Sequence, residues 1–480
     1  MRKASKVSAG VIVYAPLKWL ALTWPGICLM NKALTIAPLP YSPDPLGVFA
    51  CLRARPGAVL LDSGRPVATG RFDIISSDPI AMLEVFSDGN AQLLSDQLSP
   101  PLSLSNDAFA LQQWLLDQLD IPNEPSELPF LGGLIGYWGY DLGRESQAIS
   151  SLQARAVLLP HARLGLYDWC ISLDHVTQQA WLIATPERRK QVEGWLTQAP
   201  VETSSFTLNS AFKAELSHAQ YINRFNVVQR YIREGDCYQI NLAQRFYADY
   251  QGDEWQAYLR LRQATPTPFS GFMAWDDKAV LSLSPERFIQ CRNGEVETRP
   301  IKGTRPRGAT LEEDQALAEQ LLNSRKDRAE NVMIVDLLRN DLGRVCQPGS
   351  ITVPQLCRLE SYPNVHHLVS VVKGKLADSY TPLALLKAAF PGGSITGAPK
   401  IRAMQIIDEL EPCQRSVYCG SLGYVDVRGS MDTSIAIRTM VAEAGRLHVW
   451  GGGGLVADSQ ADEEYTETLD KIRHLIGALE

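Results

Sequence analysis

SHAQYINRFNVVQRYIREGDCYQINLAQRFYADY, residues 217–250, reads as one helix followed by one long strand. Ser217 and Gln220 have the spacing of a capping box, Tyr221, Phe225, Val228 and Ile232 recur on one helical face, and Gly235 can close the helix. The strand is expected over 238–250. Downstream, Pro399 opens a helix whose Ile401, Met404, Ile407 and Leu410 repeat at helical spacing, and strand-like segments follow around 418–427, 433–441 and 446–450. Helices and groups of strands alternate without the regular strand-helix-strand rhythm of a parallel sheet. This points to an α+β fold with antiparallel sheets. The Ser/Thr/Pro-rich stretch 197–209 divides a strand-rich first part from a motif-dense second part.

The 480 residues, 45% of them hydrophobic, are ample for an extensive core. A net charge of -7 without a long basic run argues against nucleic acid as a partner. The nine cysteines are odd in number and never spaced Cys-x-x-Cys, so neither a disulfide framework nor a zinc site is expected, and the cytoplasm fits best. Residues 1–29 begin basic at Arg2, Lys3 and Lys6 and turn apolar, but Lys18 and Pro25 interrupt the run before it could span a membrane. They read as a disordered extension or an over-long reading frame ahead of a start at Met30.

Two short runs carry candidate chemistry: Ser284-Pro-Glu-Arg-Phe288 and Arg299-Pro-Ile-Lys-Gly-Thr304 bring an acid, Glu286, and an amine, Lys302, into one strand-like segment. Alone, they read more readily as one solvated lysine with a surface partner, as most Lys and Glu are. Asp327 and Glu330 share one helix face, and Glu464, Glu467 and Lys471 share another. Carboxylates from two helices could clasp Mg²⁺, although two solvated helices with intrahelical ion pairs would carry the same spacing. Gly392-Gly-Ser-Ile-Thr-Gly-Ala-Pro-Lys400 lacks the Gly-Lys-Ser/Thr ending of a phosphate loop, which excludes an NTPase on this motif. Gly451–Gly454, after the strand ending at Trp450, is expected as a flexible turn, although bare backbone there could also offer N–H groups to a carboxylate.

In order, the run Gly235–Phe246, the two runs above, Asp327–Arg344, Val365–Ser370, Gly392–Lys400 and Glu464–Lys471 resemble the chorismate-utilising enzymes over roughly residues 215–475. Arg71–Ile74, Gly132–Tyr137 and Tyr140–Arg144 look like the N-terminal half of the same family. The resemblance implies two stacked antiparallel sheets flanked by outer helices. It also implies an N-terminal region (30–200) packed closely on a chorismate-binding catalytic region (210–480). Within the family, members forming anthranilate or isochorismate carry a small residue where Lys302 stands, and Pro-Ile-Lys-Gly-Thr marks those that make 4-amino-4-deoxychorismate for 4-aminobenzoate and folate. Water-using members carry a lysine where this chain has Gln239.

By the same resemblance, Lys302 is the expected nucleophile and Glu286 the general acid. Glu330 and Glu467 are expected to hold Mg²⁺, with Asp327 and Glu464 as nearby or alternate ligands. Arg438, Tyr418 and the backbone at Gly452 are expected on the enolpyruvyl carboxylate. Thr304 and His367 belong near the ring, and Lys471 and Gln239 near the substrate. Leu60-Leu-Asp-Ser63 resembles a tryptophan-binding element of regulated relatives, with Asp62 in place of Glu. No Gly-x-Cys-x-Gly elbow surrounds any cysteine, so ammonia is expected from a separate glutamine amidotransferase subunit. The rival expectations are an anthranilate-forming member and a non-catalytic chorismate- or tryptophan-binding regulator.

Overall fold

The computed structural model describes residues 34–65, 70–87, 90–100, 107–121, 126–362 and 365–480. The expected extension at 1–29 lies outside the described residues. Among the described residues all strand pairings are antiparallel and assemble two large sheets. One runs from Thr35–Leu39 through Gln179–Ala184, Cys170–Asp174, Phe72–Ser76 and Val59–Asp62. It continues through Phe269–Trp275, Lys278–Ser284, Thr439–Glu443 and Arg446–Leu455 to Gln239–Gln251. The other begins Ile301–Pro306, Val365–Lys375, Glu295–Thr298, Arg287–Arg292, Met431–Ile435 and Ser421–Asp426, and continues through Gly133–Trp138 and Ala162–Tyr167.

Both sheets are continuous across the soft boundary near residue 200. Leu60 pairs with Phe272 in the first, and Gly136 with Gly423 in the second. The inner faces share a core that includes Val59, Leu134, Leu164, Met273, Phe288 and Trp450. Helices Glu254–Ala264 and Ala461–Gly477 cover the first sheet from outside, burying Trp255, Tyr258, Ile472 and Leu475. Helix Arg325–Gly343 lies over strand Val365–Lys375, where Asn331 donates to the Leu368 carbonyl. No described helix is long and apolar enough to cross a membrane.

The deciding stretch folds as its pattern requires. Helix His218–Glu234 starts at a reciprocal Ser217/Gln220 capping box and ends at Gly235 with φ 84°, and strand Gln239–Gln251 follows.

Two expectations change. The strand expected over 433–441 divides into Met431–Ile435 and Thr439–Glu443, which belong to different sheets, with Arg438 at the crossing in a left-handed conformation (φ 52°). Apolar alternation cannot register a change of sheet here, because both halves are buried almost throughout and show no alternation to follow. The four glycines at 451–454 are strand, not turn: they sit within Arg446–Leu455, paired with Gln244, Ala243, Leu242 and Asn241. Glycine is required where backbone fills the space a side chain would take: a Cβ at Gly451 would stand 2.1 Å from the Thr468 carbonyl, and one at Gly452 would stand 2.9 Å from the Leu242 carbonyl.

Candidate active site

Two of the chain's passages between the sheets run side by side. Strand Lys278–Ser284 belongs to the first sheet and Arg287–Arg292 to the second, with Glu286 between them. The return crossing from Ile435 to Thr439 runs alongside: Ile435 N–H donates to the Glu286 carbonyl at 3.0 Å, and Ser284 Oγ donates to the Ile435 carbonyl at 2.6 Å. An acid and a cation, Glu286 and Arg438, are thus set at one corner of the sandwich.

Lys302 arrives from the second sheet's edge. Strand Ile301–Pro306 pairs with Val365–Lys375, but the register slips between Lys302 (opposite Leu368) and Thr304 (opposite His367), leaving Gly303 as the extra residue with φ 76°. Such a bulge re-aims the residues beside it. A side chain at Gly303 would meet Leu321 and Asp327 within 3 Å, so only glycine fits the bend.

Glu286 is 6% exposed, and burial pushes its carboxyl up to about 7 against the opposing pull of Lys302, Ser394, the Ile301 N–H and Lys471. Burial also lowers the Lys302 amine, helped by the like charge of Lys471 and opposed by Glu330, Glu286 and Glu467. Both shifts have one cause: each ionised form is penalised where water is scarce. The pair is therefore biased towards neutral amine and protonated acid, the forms needed for nucleophilic attack and proton donation. Lys302 Nζ donates to the Ser394 carbonyl at 3.2 Å, and Ser394 Oγ donates to Glu286 Oε1 at 3.3 Å.

The acidic side chains come from two helices. Glu464, 2% exposed, accepts from Ser459 at 2.6 Å and faces Lys326 at 3.4 Å, while its Oε2 is buried without a hydrogen-bond partner. Burial raises its carboxyl, and Glu467 raises it further. Burial likewise raises Glu330, with Lys302 and Lys326 opposing and Asp327 and Glu467 adding to the rise. Burial opposes ionisation of Glu467 as well, but Lys471 at 2.6 Å outweighs it and its carboxyl ends lower. The bare backbone of Gly453 faces this group, since a Cβ there would lie 3.0 Å from Glu464 Oε2 and 3.4 Å from Glu467 Oε1. Asp327 is engaged elsewhere, 3.3 Å from Arg305.

Among the described residues, no three Asp, Glu, His or Cys side chains converge closely enough to hold an ion as they stand. The donor chemistry nonetheless fits a hard cation. Carboxylate oxygens from two helices raise one another's affinity for positive charge, and one buried oxygen has no partner.

The remaining expected residues divide into groups. Thr304 Oγ1 and His367 Nδ1 are 2.9 Å apart, and burial with the nearby Arg438 charge holds the imidazole down to about 4, hence neutral at pH 7. Arg438 has no acceptor for its guanidinium among the described residues, and burial lowers its pKa. A desolvated guanidinium of this kind is suited to a carboxylate. Tyr418, 4% exposed, stacks on Trp450 at 5.9 Å and 7°. Lys471 Nζ donates to the Gly452 carbonyl at 2.8 Å, which joins the glycine strand to the carboxylates. Gln239 is 1% exposed with Oε1 unpartnered.

Ser63 sits apart from this group. Its N–H donates to Asp73 at 2.6 Å, and the adjoining Asp62 is already taken by Tyr258, Arg262 and the Gly64 N–H. Asp62, Gly70, Pro268 and Phe269 line a separate cavity of about 510 Å³ whose wall includes Pro285 and Ile301, the chain neighbours of Glu286 and Lys302.

Sequence reasoning passed over Ser394, Lys326 and the buried Glu411–Arg415 pair. Ser394 lay inside the Gly392–Lys400 motif, but nothing in that motif says which residue turns inward.

The chain belongs to the family of chorismate-binding enzymes, whose model matches residues 58–477. It is 47% identical to aminodeoxychorismate synthase component 1 of Salmonella typhimurium over 94% of this chain and all of that one. It is also 47% identical to the Escherichia coli protein of the same name, over 90% of this chain and 95% of that one. The crystal structure of anthranilate synthase component I from Streptococcus pneumoniae superposes with a TM-score of 0.74 at 31% identity, covering 87% of this chain and 95% of that one.

Proposed function

We propose that the chain forms 4-amino-4-deoxychorismate from chorismate and ammonia, the product for which the Salmonella and E. coli relatives are named. The observation that carries the reading is the Lys302–Glu286 pair, a lysine with lowered pKa beside a carboxyl raised to about 7. The Lys302 lone pair adds at C2 of the ring, the diene shifts, and the C4 hydroxyl departs as water with the Glu286 proton. Ammonia then adds at C4, the double bonds return, and the C2–N bond to Lys302 breaks. Two displacements with allylic shift replace oxygen by nitrogen at one carbon with retained geometry, which a single displacement cannot do.

Arg438, Tyr418 and the backbone at Gly452 hold the enolpyruvyl carboxylate, and the neutral His367 and Thr304 line the ring. Gln239 also faces the substrate. Glu330 and Glu467, with Glu464 beside them, would hold Mg²⁺, which supplies positive charge for the ring carboxylate. Ammonia comes from a separate glutamine amidotransferase subunit, in the cytoplasm.

The test is product identity. Purified protein given chorismate, Mg²⁺ and an ammonium salt should yield aminodeoxychorismate without pyruvate release; anthranilate with pyruvate overturns the reading. EDTA should stop turnover and Mg²⁺ restore it, while undiminished activity in EDTA removes the metal from the scheme.

The pH dependence has a defined sign. A raised acid must keep its proton, so the rate of lysine adduct formation without ammonia should fall as pH rises through about 7. A lowered amine must lose its proton, so the rate should also fall on the acid side. A rate still climbing well above pH 8 would remove Glu286 as the acid.

A further inference from the structure

Ser394 touches both reacting side chains with different groups. Its hydroxyl donates to Glu286 Oε1 at 3.3 Å, and its carbonyl accepts from Lys302 Nζ at 3.2 Å. We propose that Ser394 is a positioning residue that couples the acid to the amine, selecting the carboxyl oxygen that delivers the proton and directing the amine lone pair. This deepens the amination chemistry proposed above and rests on it.

The physical argument starts from donor and acceptor roles. A neutral amine that gives one N–H to a carbonyl has its lone pair turned away from that carbonyl. A carboxylic acid oxygen that accepts from a hydroxyl is its carbonyl oxygen, so the acidic proton resides on the other oxygen. One residue thereby sets the direction of both attack and protonation, within a single turn of chain.

That turn is clamped from several sides. Gly393–Ile395 forms a 3-10 turn, Thr396 Oγ1 donates to the Gly392 carbonyl at 3.0 Å, and Asn241 N–H donates to the Thr396 carbonyl at 2.8 Å. Arg415 Nη1 donates to the Ile395 carbonyl at 2.9 Å, and Lys400 Nζ bridges Asp341 at 2.6 Å and the Ala389 carbonyl at 2.7 Å. Gly393 has no room for a side chain, because a Cβ would stand 2.4 Å from Leu337. The serine is thus fixed relative to helix Arg325–Gly343, which also carries Glu330.

The charged groups facing Glu286 are Lys302 from the bulged strand and Lys471 from helix Ala461–Gly477; the Ile301 N–H is a further donor. None is removed by changing Ser394, so the hydroxyl's effect can be isolated. Its bond favours the carboxylate form, and losing it should move the Glu286 midpoint upward by about one pH unit. The backbone carbonyl survives any substitution, so the Lys302 limb should stay where it is.

The test uses the full chain without ligand. The infrared carboxylic acid band of Glu286, assigned by its loss in Glu286→Gln, is followed against pH. In Ser394→Ala the band should persist about one pH unit higher than in the unsubstituted protein, and Ser394→Thr should bring the midpoint back. Ser394→Cys, close in size to serine and a weak donor, should lie between and replaces the alanine variant if that fails to fold. In the adduct assay Ser394→Ala should shift only the alkaline limb, and in turnover with an ammonium salt it should lower kcat with KM for chorismate held.

An unmoved midpoint in Ser394→Ala, or no restoration in Ser394→Thr, overturns the proposal. Should the unsubstituted protein form no adduct, the functional reading fails separately, and the infrared titration still decides the Ser394–Glu286 link.

Discussion

Lys302→Ala should lose aminodeoxychorismate formation by at least about 10³-fold in kcat, with KM for chorismate little changed. The asymmetry follows from the division of labour in the site. Arg438, Tyr418 and the glycine strand, assigned above to the substrate's carboxylate, are all independent of Lys302, whereas bond making at C2 requires one free amine. No neighbouring lysine can take over: Lys471 is committed to Glu467 at 2.6 Å and to the Gly452 carbonyl at 2.8 Å, and Lys326 faces Glu464 at 3.4 Å. Intact-mass measurement after incubation with chorismate and Mg²⁺ without ammonia should find the protein heavier by chorismate less one water, and Lys302→Ala unmodified. A variant that still carries the added mass, or still aminates chorismate at an undiminished rate, rules out covalent catalysis by this lysine.

How much of this was legible in the sequence depends on the range of the interaction. Helix His218–Glu234 and the strand after it were readable because capping and apolar period are local properties. Glu286 and Lys302 were readable as residue types in recognisable runs. Their coupling through Ser394, 108 and 92 residues away, was not. The four glycines misled for a related reason: a run of glycine usually marks a turn, whereas here pairing with 241–244 makes it strand and the Thr468 backbone leaves no room for a side chain at Gly451. Arg438 was recognisable from the family pattern, but its place at the corner between two sheets depends on a pairing partner, Lys278–Ser284, about 150 residues earlier.

Arg415→Leu should destabilise the protein by about 3–5 kcal/mol, the largest stability effect expected of a single substitution around the site. Arg415 is 1% exposed and pairs with Glu411, 4% exposed, at 2.6 Å. It also donates to the carbonyls of Ile395 at 2.9 Å and Asn241 at 2.6 Å, while Glu411 accepts the Ala243 N–H at 2.8 Å. Removing the guanidinium strands a buried carboxylate, which burial already pushes up in pKa and Arg415 opposes, and it orphans two buried carbonyls. Glu411→Gln combined with Arg415→Leu removes the uncompensated charge while keeping an acceptor for Ala243 N–H. The double variant should therefore be more stable than Arg415→Leu alone, a non-additivity that separate packing defects would not produce. Thermal midpoints of Arg415→Leu, Glu411→Gln and the double variant decide it: if the double variant unfolds at the lowest temperature of the three, buried charge is not the cause. The Ile395 carbonyl adjoins Ser394, so Arg415→Leu should also slow adduct formation well below its unfolding temperature. Stability of the pair and alignment of the acid with the amine are thus two readings of one buried guanidinium.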